Sequence, residues 1–329
     1  MLKPNRVPPN GRVALYNPSD PLLEYRVDFI RRGIETIRAW GFSINDLDHK
    51  KVETWSTLQN PAVRAAEIHS LMRDDSVHFL LASWGGKICI DLLPLLDYEL
   101  LSRAPKPILG VSDIGVLLNA ISYKSSLITF YGPNIAGKLH QTAEIGFPLI
   151  TSPTKEVVGQ HLLASNVEAR VVRSGSCEGQ LVGGSLGTFT LGLSGTPYFP
   201  RFGKIILFWE SGSLNVWGIK QHLQHLRLVG DLSNVVGVLV GATTKLKAES
   251  DYQVLDHVLL EVFNNTSIPI LRGDFLGHGD FPNRTLPIGA KVRLSTDIKN
   301  MTLLEPVTKD EKKERIASRI ARVSQTGSH

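Results

Sequence analysis

The stretch Lys106-Pro107-Ile108-Leu109-Gly110-Val111-Ser112-Asp113-Ile114-Gly115-Val116-Leu117-Leu118 decides how the rest of the chain is read. Pro107 to Val111 is a short apolar run of strand character. From Ile114 to Tyr123 the apolar spacing is helical. The chain therefore leaves a strand at Gly110, turns through Ser112 and enters a helix at about Asp113. Outward from this turn the same alternation repeats. Arg12 to Tyr16 reads as a strand, followed by the turn-like Asn17-Pro18-Ser19-Asp20-Pro21. Glu24 to Trp40 reads as a helix stopped by Gly41, and a short strand follows around Phe42. Pro61 to Met72 is helical with proline at its first position, and Val77 to Ala82 is a strand. Asp91 to Leu101 reads as a further helix and Leu127 to Tyr131 as a further strand. Strands alternating with helices predict an α/β fold whose N-terminal domain is a parallel sheet with helices on both faces.

The alternation loosens at Thr151-Ser152-Pro153-Thr154, and the domain boundary is expected there. The second half is richer in glycine and β-branched residues. Strands are expected at Glu168 to Arg173, Gly203 to Trp209, Val235 to Val240, Ile268 to Leu271 and Ala290 to Leu294. Helices are expected at Val216 to Leu228 and Tyr252 to Phe263. The expected organisation is an N-terminal α/β domain over 1–152, a smaller mixed β-rich domain over 153–308, and a basic tail over 309–329. At 329 residues the chain has room for two such domains.

Composition narrows the function classes. With 42% hydrophobic and 20% charged residues, the chain is neither disordered nor fibrous. No apolar run approaches the roughly 20 residues that span a bilayer, so no membrane partner is expected. The two cysteines, Cys89 and Cys177, form no C-x-x-C pair, so neither a zinc site nor a disulfide framework is indicated. The polar, proline-rich N-terminus lacks the apolar core of a secretory signal, and a cytoplasmic location is expected. The net charge of +5 at first suggests a nucleic-acid partner. Six basic and three acidic residues from Lys309 to His329 place +3 of it in the tail. The body of the chain is nearly neutral, and no nucleic-acid function is expected.

Three places carry chemistry. Ser112, on a tight strand-to-helix turn, stands beside the free N–H groups of a helix start. The same serine also fits an ordinary helix N-cap. Ile114, where G-x-S-x-G would place its second glycine, argues against a common α/β-hydrolase. Ala82-Ser83-Trp84-Gly85-Gly86-Lys87 follows an apolar strand, and paired glycines there allow close backbone approach to a ligand. If the two strands are neighbours, the N–H groups of Gly86 and Asp113 form an oxyanion hole; a plain tight turn is the other reading. Glu210 ends the strand Ile205-Ile206-Leu207-Phe208-Trp209-Glu210. His278 lies in Leu276-Gly277-His278-Gly279-Asp280, where it needs a partner to orient it, and a carboxylate serves. His222 and His225 share a helix face, but no third metal ligand stands at suitable spacing.

Together these segments resemble the LD-carboxypeptidase family of serine peptidases, which includes the microcin C immunity proteins. The resemblance rests on W-G-G-K (84–87), P-K-P-I-L-G-V-S-D (105–113), L-I-T-F-Y-G-P (127–133), G-Q-L-V-G-G-S-L (179–186), G-K-I-I-L-F-W-E (203–210) and L-G-H-G-D-F-P-N (276–283). It runs in order from about residue 12 to 295. It implies Ser112 as nucleophile, His278 as general base and Glu210 as the residue orienting it, with an oxyanion hole from the Gly86 and Asp113 amides. It implies no cofactor and no metal, and a homodimer with the triad assembled across the cleft between the domains. The substrate it implies is a small peptide or an aminoacyl-nucleotide-like molecule. Lys87 and Trp217 are candidate substrate-binding residues, to meet a carboxylate and to stack on a flat group respectively. Around Glu210 the chain departs from the family at Ser211, Leu214 and Lys220-Gln221, and Ser185 replaces the family's asparagine. A biosynthetic amide hydrolase or acyl-transfer enzyme, and a non-catalytic binding protein on the same fold, are the competing readings.

Overall fold

The computed structural model describes residues 1–137, 139, 147–152, 155–163, 167–265, 267–279 and 284–310. Thirteen strands among them form two sheets. In chain order they are β1 (Arg12–Tyr16), β2 (Ser43–Ile44), β3 (Phe79–Ala82), β4 (Ile108–Gly110), β5 (Thr129–Tyr131), β6 (Arg170–Arg173), β7 (Ser176–Ser185), β8 (Ile205–Ser211), β9 (Val235–Thr243), β10 (Ile270–Arg272), β11 (Leu286–Ile288), β12 (Lys291–Ser295) and β13 (Asn300–Leu303).

The first sheet runs β11-β5-β4-β3-β1-β2, with β1 to β5 all parallel. β3 and β4 are uninterrupted buried runs, as a sheet covered on both faces requires. Helices Val27–Ala39, Pro61–Arg73 and Ile114–Ser125 turn their buried residues to it. The second sheet runs β13-β12-β7-β8-β9-β10-β6 and is mixed: β7 to β10 are parallel, and β6, β12 and β13 antiparallel. The expected α/β architecture is thus present.

The halves are stitched together. β11, from the second half of the chain, completes the first sheet by pairing antiparallel with β5. The helix Ile114–Ser125 is buried nearly all round. Its Asn119 donates to the Gly183 carbonyl (2.7 Å) and accepts from the Gly183 amide (3.2 Å). This buried amide pair registers the helix after Ser112 against β7.

Several elements differ from the sequence reading. The single helix expected over Asp91 to Leu101 is instead a short turn of helix at Cys89–Leu92 and a separate helix at Tyr98–Arg103. Pro94 supplies no N–H to continue the first, and Asp97 caps the second by accepting from the Leu100 amide at 2.8 Å. β7 and the helix Leu186–Leu193 behind it were not anticipated. The expected boundary at 152/153 adjoins Pro153 and Thr154, which lie outside the described residues, as does the tail from residue 311. Among the described residues no helix is long and apolar enough to cross a membrane.

Candidate active site

The parallel order of the first sheet sets the C-terminal ends of β5, β4, β3 and β1 side by side. In an open α/β sheet, ligands bind along that edge. The loops that leave β3, β4 and β5 line a cavity of about 350 Å³ through Trp84, Gly85, Gly86, Val111, Ser112, Pro133, Asn134 and Gly137. The opposite wall is Gly277, His278 and Gly279, from the loop after β10. The condition attached to the oxyanion hole is met, because β3 and β4 are hydrogen-bonded neighbours.

Ser112 has φ of +66°, in the left-handed region. A non-glycine residue there is strained by on the order of 1–3 kcal/mol, a cost that recurs at functional sites. The helix that follows takes Asp113, not Ser112, as its N-cap, which decides against the capping alternative. The surroundings hold the turn in place. The Val111 amide donates to Asn134 Oδ1 at 2.9 Å, and the Ser112 amide to the Tyr131 hydroxyl at 3.2 Å. A Cβ on Gly85 would lie 3.1 Å from that of Ser112, tighter than ordinary contact, so glycine eases the close passage of the β3 loop.

The two candidate oxyanion donors are braced by the turn after β1. Asp20 Oδ1 accepts from the Lys87 amide at 2.8 Å, which fixes the peptide after Gly86. Asp113 is buried, and its carboxylate accepts from Ser19 Oγ (2.5 Å) and the Cys89 amide (2.8 Å). Burial raises the Asp113 pKa above its ordinary value, and the bonds from Ser19 and Cys89 oppose that. Among the described residues, neither the Gly86 nor the Asp113 amide donates to a protein acceptor. Both remain available to an oxyanion.

Glu210 is fully buried as the penultimate residue of β8, after five apolar residues. A carboxylate in such a place must be partnered. Its Oε2 is 2.9 Å from His278 Nδ1 and accepts from the His278 amide at 3.4 Å. Its Oε1 accepts from the Tyr131 hydroxyl at 3.0 Å. The His278 side chain is 44% exposed and reaches the cavity. A Cβ on Gly212 would lie 2.9 Å from its Cβ and Cγ, and one on Gly277 would lie 2.7 Å from Glu210 Cβ. Glycines on both sides thus let the histidine settle on the carboxylate. The Glu210 hydrogen bond raises the His278 pKa above 6.5, partly opposed by burial.

Ser112 and His278 therefore line one cavity, with Glu210 buried behind the histidine and Gly86 and Asp113 beside the serine. Lys87 is exposed and Trp217 is 63% exposed, and neither lines the cavity. Trp84 does line it, with the Arg26 guanidinium 4.1 Å from its ring centroid. Sequence reasoning did not single out Tyr131, Asn134, Ser19 or Asp20. Their only signal was position: Tyr131 ends β5, and Asn134, Ser19 and Asp20 lie in the loops just beyond β5 and β1.

The chain matches the LD-carboxypeptidase N-terminal domain over residues 13–132 and the LD-carboxypeptidase C-terminal domain over residues 178–294. A probable murein peptide carboxypeptidase of Bacillus subtilis is 30% identical to it, over 71% of this chain and 73% of that protein. A putative carboxypeptidase of Treponema pallidum is 29% identical, over 89% of this chain and 92% of the relative. Among solved structures, the microcin C7 self-immunity protein MccF in complex with aspartyl sulfamoyl adenosine superposes with a TM-score of 0.77 at 23% identity. That match covers 94% of this chain and all of that one.

Proposed function

The chain belongs to the LD-carboxypeptidase family, and on that premise we propose that it hydrolyses an amide bond in a small substrate through a serine acyl-enzyme. One observation carries the reading. Ser112, on a left-handed strand-to-helix turn, shares a cavity with His278, whose Nδ1 lies 2.9 Å from a fully buried Glu210.

The mechanism follows from the placement of the groups. His278 Nδ1–H donates to Glu210, which leaves Nε2 free to accept the Ser112 Oγ proton. Oγ forms a bond to the scissile carbonyl carbon, and the carbonyl oxygen becomes an oxyanion that accepts from the Gly86 and Asp113 amides. His278 returns the proton to the leaving nitrogen as the C–N bond breaks. Water then attacks the acyl-enzyme, losing its proton to His278, and Ser112 is regenerated.

Two substrate chemistries suit a cavity of about 350 Å³. One is the end of a small peptide, supported by the relatives named as murein peptide carboxypeptidases. The other is an aminoacyl group on a nucleotide-like carrier, supported by the MccF complex with an aspartyl sulfamoyl adenosine. Trp84 in the cavity wall favours the second, because an aromatic ring offers a flat surface to a flat group.

The test is covalent labelling with a fluorophosphonate, followed by hydrolysis assays on an L,D-tetrapeptide and on an aspartyl sulfamoyl adenosine. Label is expected on Ser112 of the native chain and on no residue of a folded Ser112→Ala variant. A folded Ser112→Ala variant that still labels or still hydrolyses either substrate overturns the assignment.

A further inference from the structure

Tyr131 closes the one path by which the nucleophile's backbone and the buried acid touch the same atom. It ends β5 and is 1% exposed. Its ring lies where the two halves of the chain meet. A Cβ on Gly115, in the nucleophile's helix, would come within 2.9 Å of the ring, and a Cβ on Gly184, in β7, within 3.2 Å. Phe208 of β8 packs edge-on to it with centroids 5.3 Å apart. The ring thus occupies a slot that two glycines keep open and has little freedom to turn.

The hydroxyl's bonds are fixed by what each partner can do. The Ser112 amide can only donate, and the ionised Glu210 carboxylate can only accept. The single Tyr131 proton therefore goes to Glu210 Oε1 (3.0 Å), and a lone pair receives the Ser112 N–H (3.2 Å). Oε2 is left for His278. Burial first, and then the Glu210 charge, hold the Tyr131 pKa well above its ordinary value, so the hydroxyl keeps its proton.

We propose that Tyr131 is a positioning residue that locks the Ser112 turn to Glu210 and, by donating to that carboxylate, limits how strongly Glu210 raises the basicity of His278. The proposal rests on the assignment of Ser112, Glu210 and His278 made above. Among the described residues, the groups set against the Glu210 carboxylate are the Tyr131 hydroxyl and the His278 ring and amide. Losing the tyrosine donor leaves more of the carboxylate's negative charge to the His278 hydrogen bond. That stabilises the imidazolium, so His278 becomes neutral only at higher pH.

The experiment measures the rate of fluorophosphonate labelling against pH for the native chain and for Tyr131→Phe, with Ser112→Ala as control. Tyr131→Phe is expected to label about 10-fold more slowly at its plateau, the size of losing the hydrogen bond that holds the Ser112 amide. Its acid limb is expected to lie about half a unit higher. A variant merely loosened in its packing would slow without moving that limb; an unmoved limb, or labelling at the native rate, overturns the positioning role. Label retained by Ser112→Ala overturns the active-site assignment and this role with it. Should Tyr131→Phe fail to fold, difluorotyrosine placed at position 131 by codon suppression keeps both bonds with a stronger donor. The limb should then move to lower pH, and a limb that stays put overturns the proposal.

Discussion

The two walls of the cavity are built by different means. The wall from the first sheet is backbone: Ser112 at φ +66°, glycines at 85 and 86, and amides held by Asn134, Tyr131, Asp20 and the buried Asp113. The opposite wall is one side chain resting on another, with His278 44% exposed and oriented by a fully buried Glu210. The first wall is formed before any ligand arrives. The second depends on one hydrogen-bonded pair. Preorganised backbone donors stabilise the transition state at no reorganisation cost, whereas a histidine that must move a proton needs only a fixed tautomer and direction. The most damaging single change that keeps both Ser112 and His278 should therefore fall on the second wall.

Glu210→Gln is that change. It removes the charge that holds the Nδ1–H tautomer of His278, and the labelling rate of Ser112 should fall by about 10³–10⁴-fold, the loss typical of a triad acid replaced by its amide. The pH profile gives an independent check. In the native chain the Glu210 hydrogen bond raises the His278 pKa, and His278 serves as base only when neutral. Labelling should therefore rise with pH through a midpoint above 6.5. In Glu210→Gln the raising cause is gone, and the midpoint should drop. A midpoint that does not fall would show that something other than Glu210 sets the basicity of His278.

Gly86→Ala attacks the first wall and should cost less. The new Cβ would sit 2.3 Å from Asp20 Cγ and 2.5 Å from Ser19 Oγ. Neither neighbour yields freely, because Asp20 holds the Lys87 amide and Ser19 the Asp113 carboxylate. The Gly86 peptide must move instead and take its N–H away from the oxyanion. Labelling should slow by about 10²–10³-fold, the usual loss of one oxyanion donor, while the midpoint of the pH profile stays where it was. A rate loss without a shift for Gly86→Ala, beside a loss with a shift for Glu210→Gln, separates the walls experimentally.

The same contrast explains what could be read in the sequence. The Ser112 turn is local: strand, serine and helix are contiguous, and bringing Gly86 beside it needed only the adjacency of β3 and β4. Glu210 and His278 are 68 residues apart. Each was conspicuous alone, a carboxylate ending an apolar strand and a histidine between glycines, yet their pairing came from family resemblance rather than from spacing. Tyr131 carried no local sign, because its role depends on β5 lying beside β4 and on two distant glycines, 115 and 184, leaving room for its ring. β7 escaped notice because glycine disfavours strands. Here the packing demands it, since a Cβ on Gly183 would fall within 1.7 Å of the Phe208 carbonyl oxygen. β11 was missed for a related reason: it is three residues long and finds its partner, β5, more than 150 residues earlier.

Trp217 marks where the second wall ends. It stands in the first turn of the helix Val216–Leu228, whose cap is Asn215 accepting from the Gly218 amide at 2.9 Å. That bond is independent of the Trp217 side chain, which is 63% exposed and does not line the cavity. The buried face of the helix is Val216, Ile219, Leu223 and Leu226. Trp217→Ala should therefore leave stability within about 0.5 kcal/mol, as expected of an exposed position. Fluorophosphonate labelling should proceed at the native rate and with the native pH midpoint. A thermal melt and the labelling assay together check this. A slowed label with an unchanged melt would extend the second wall beyond Glu210 and His278 to this helix, and would make the aromatic surface at 217 part of the site.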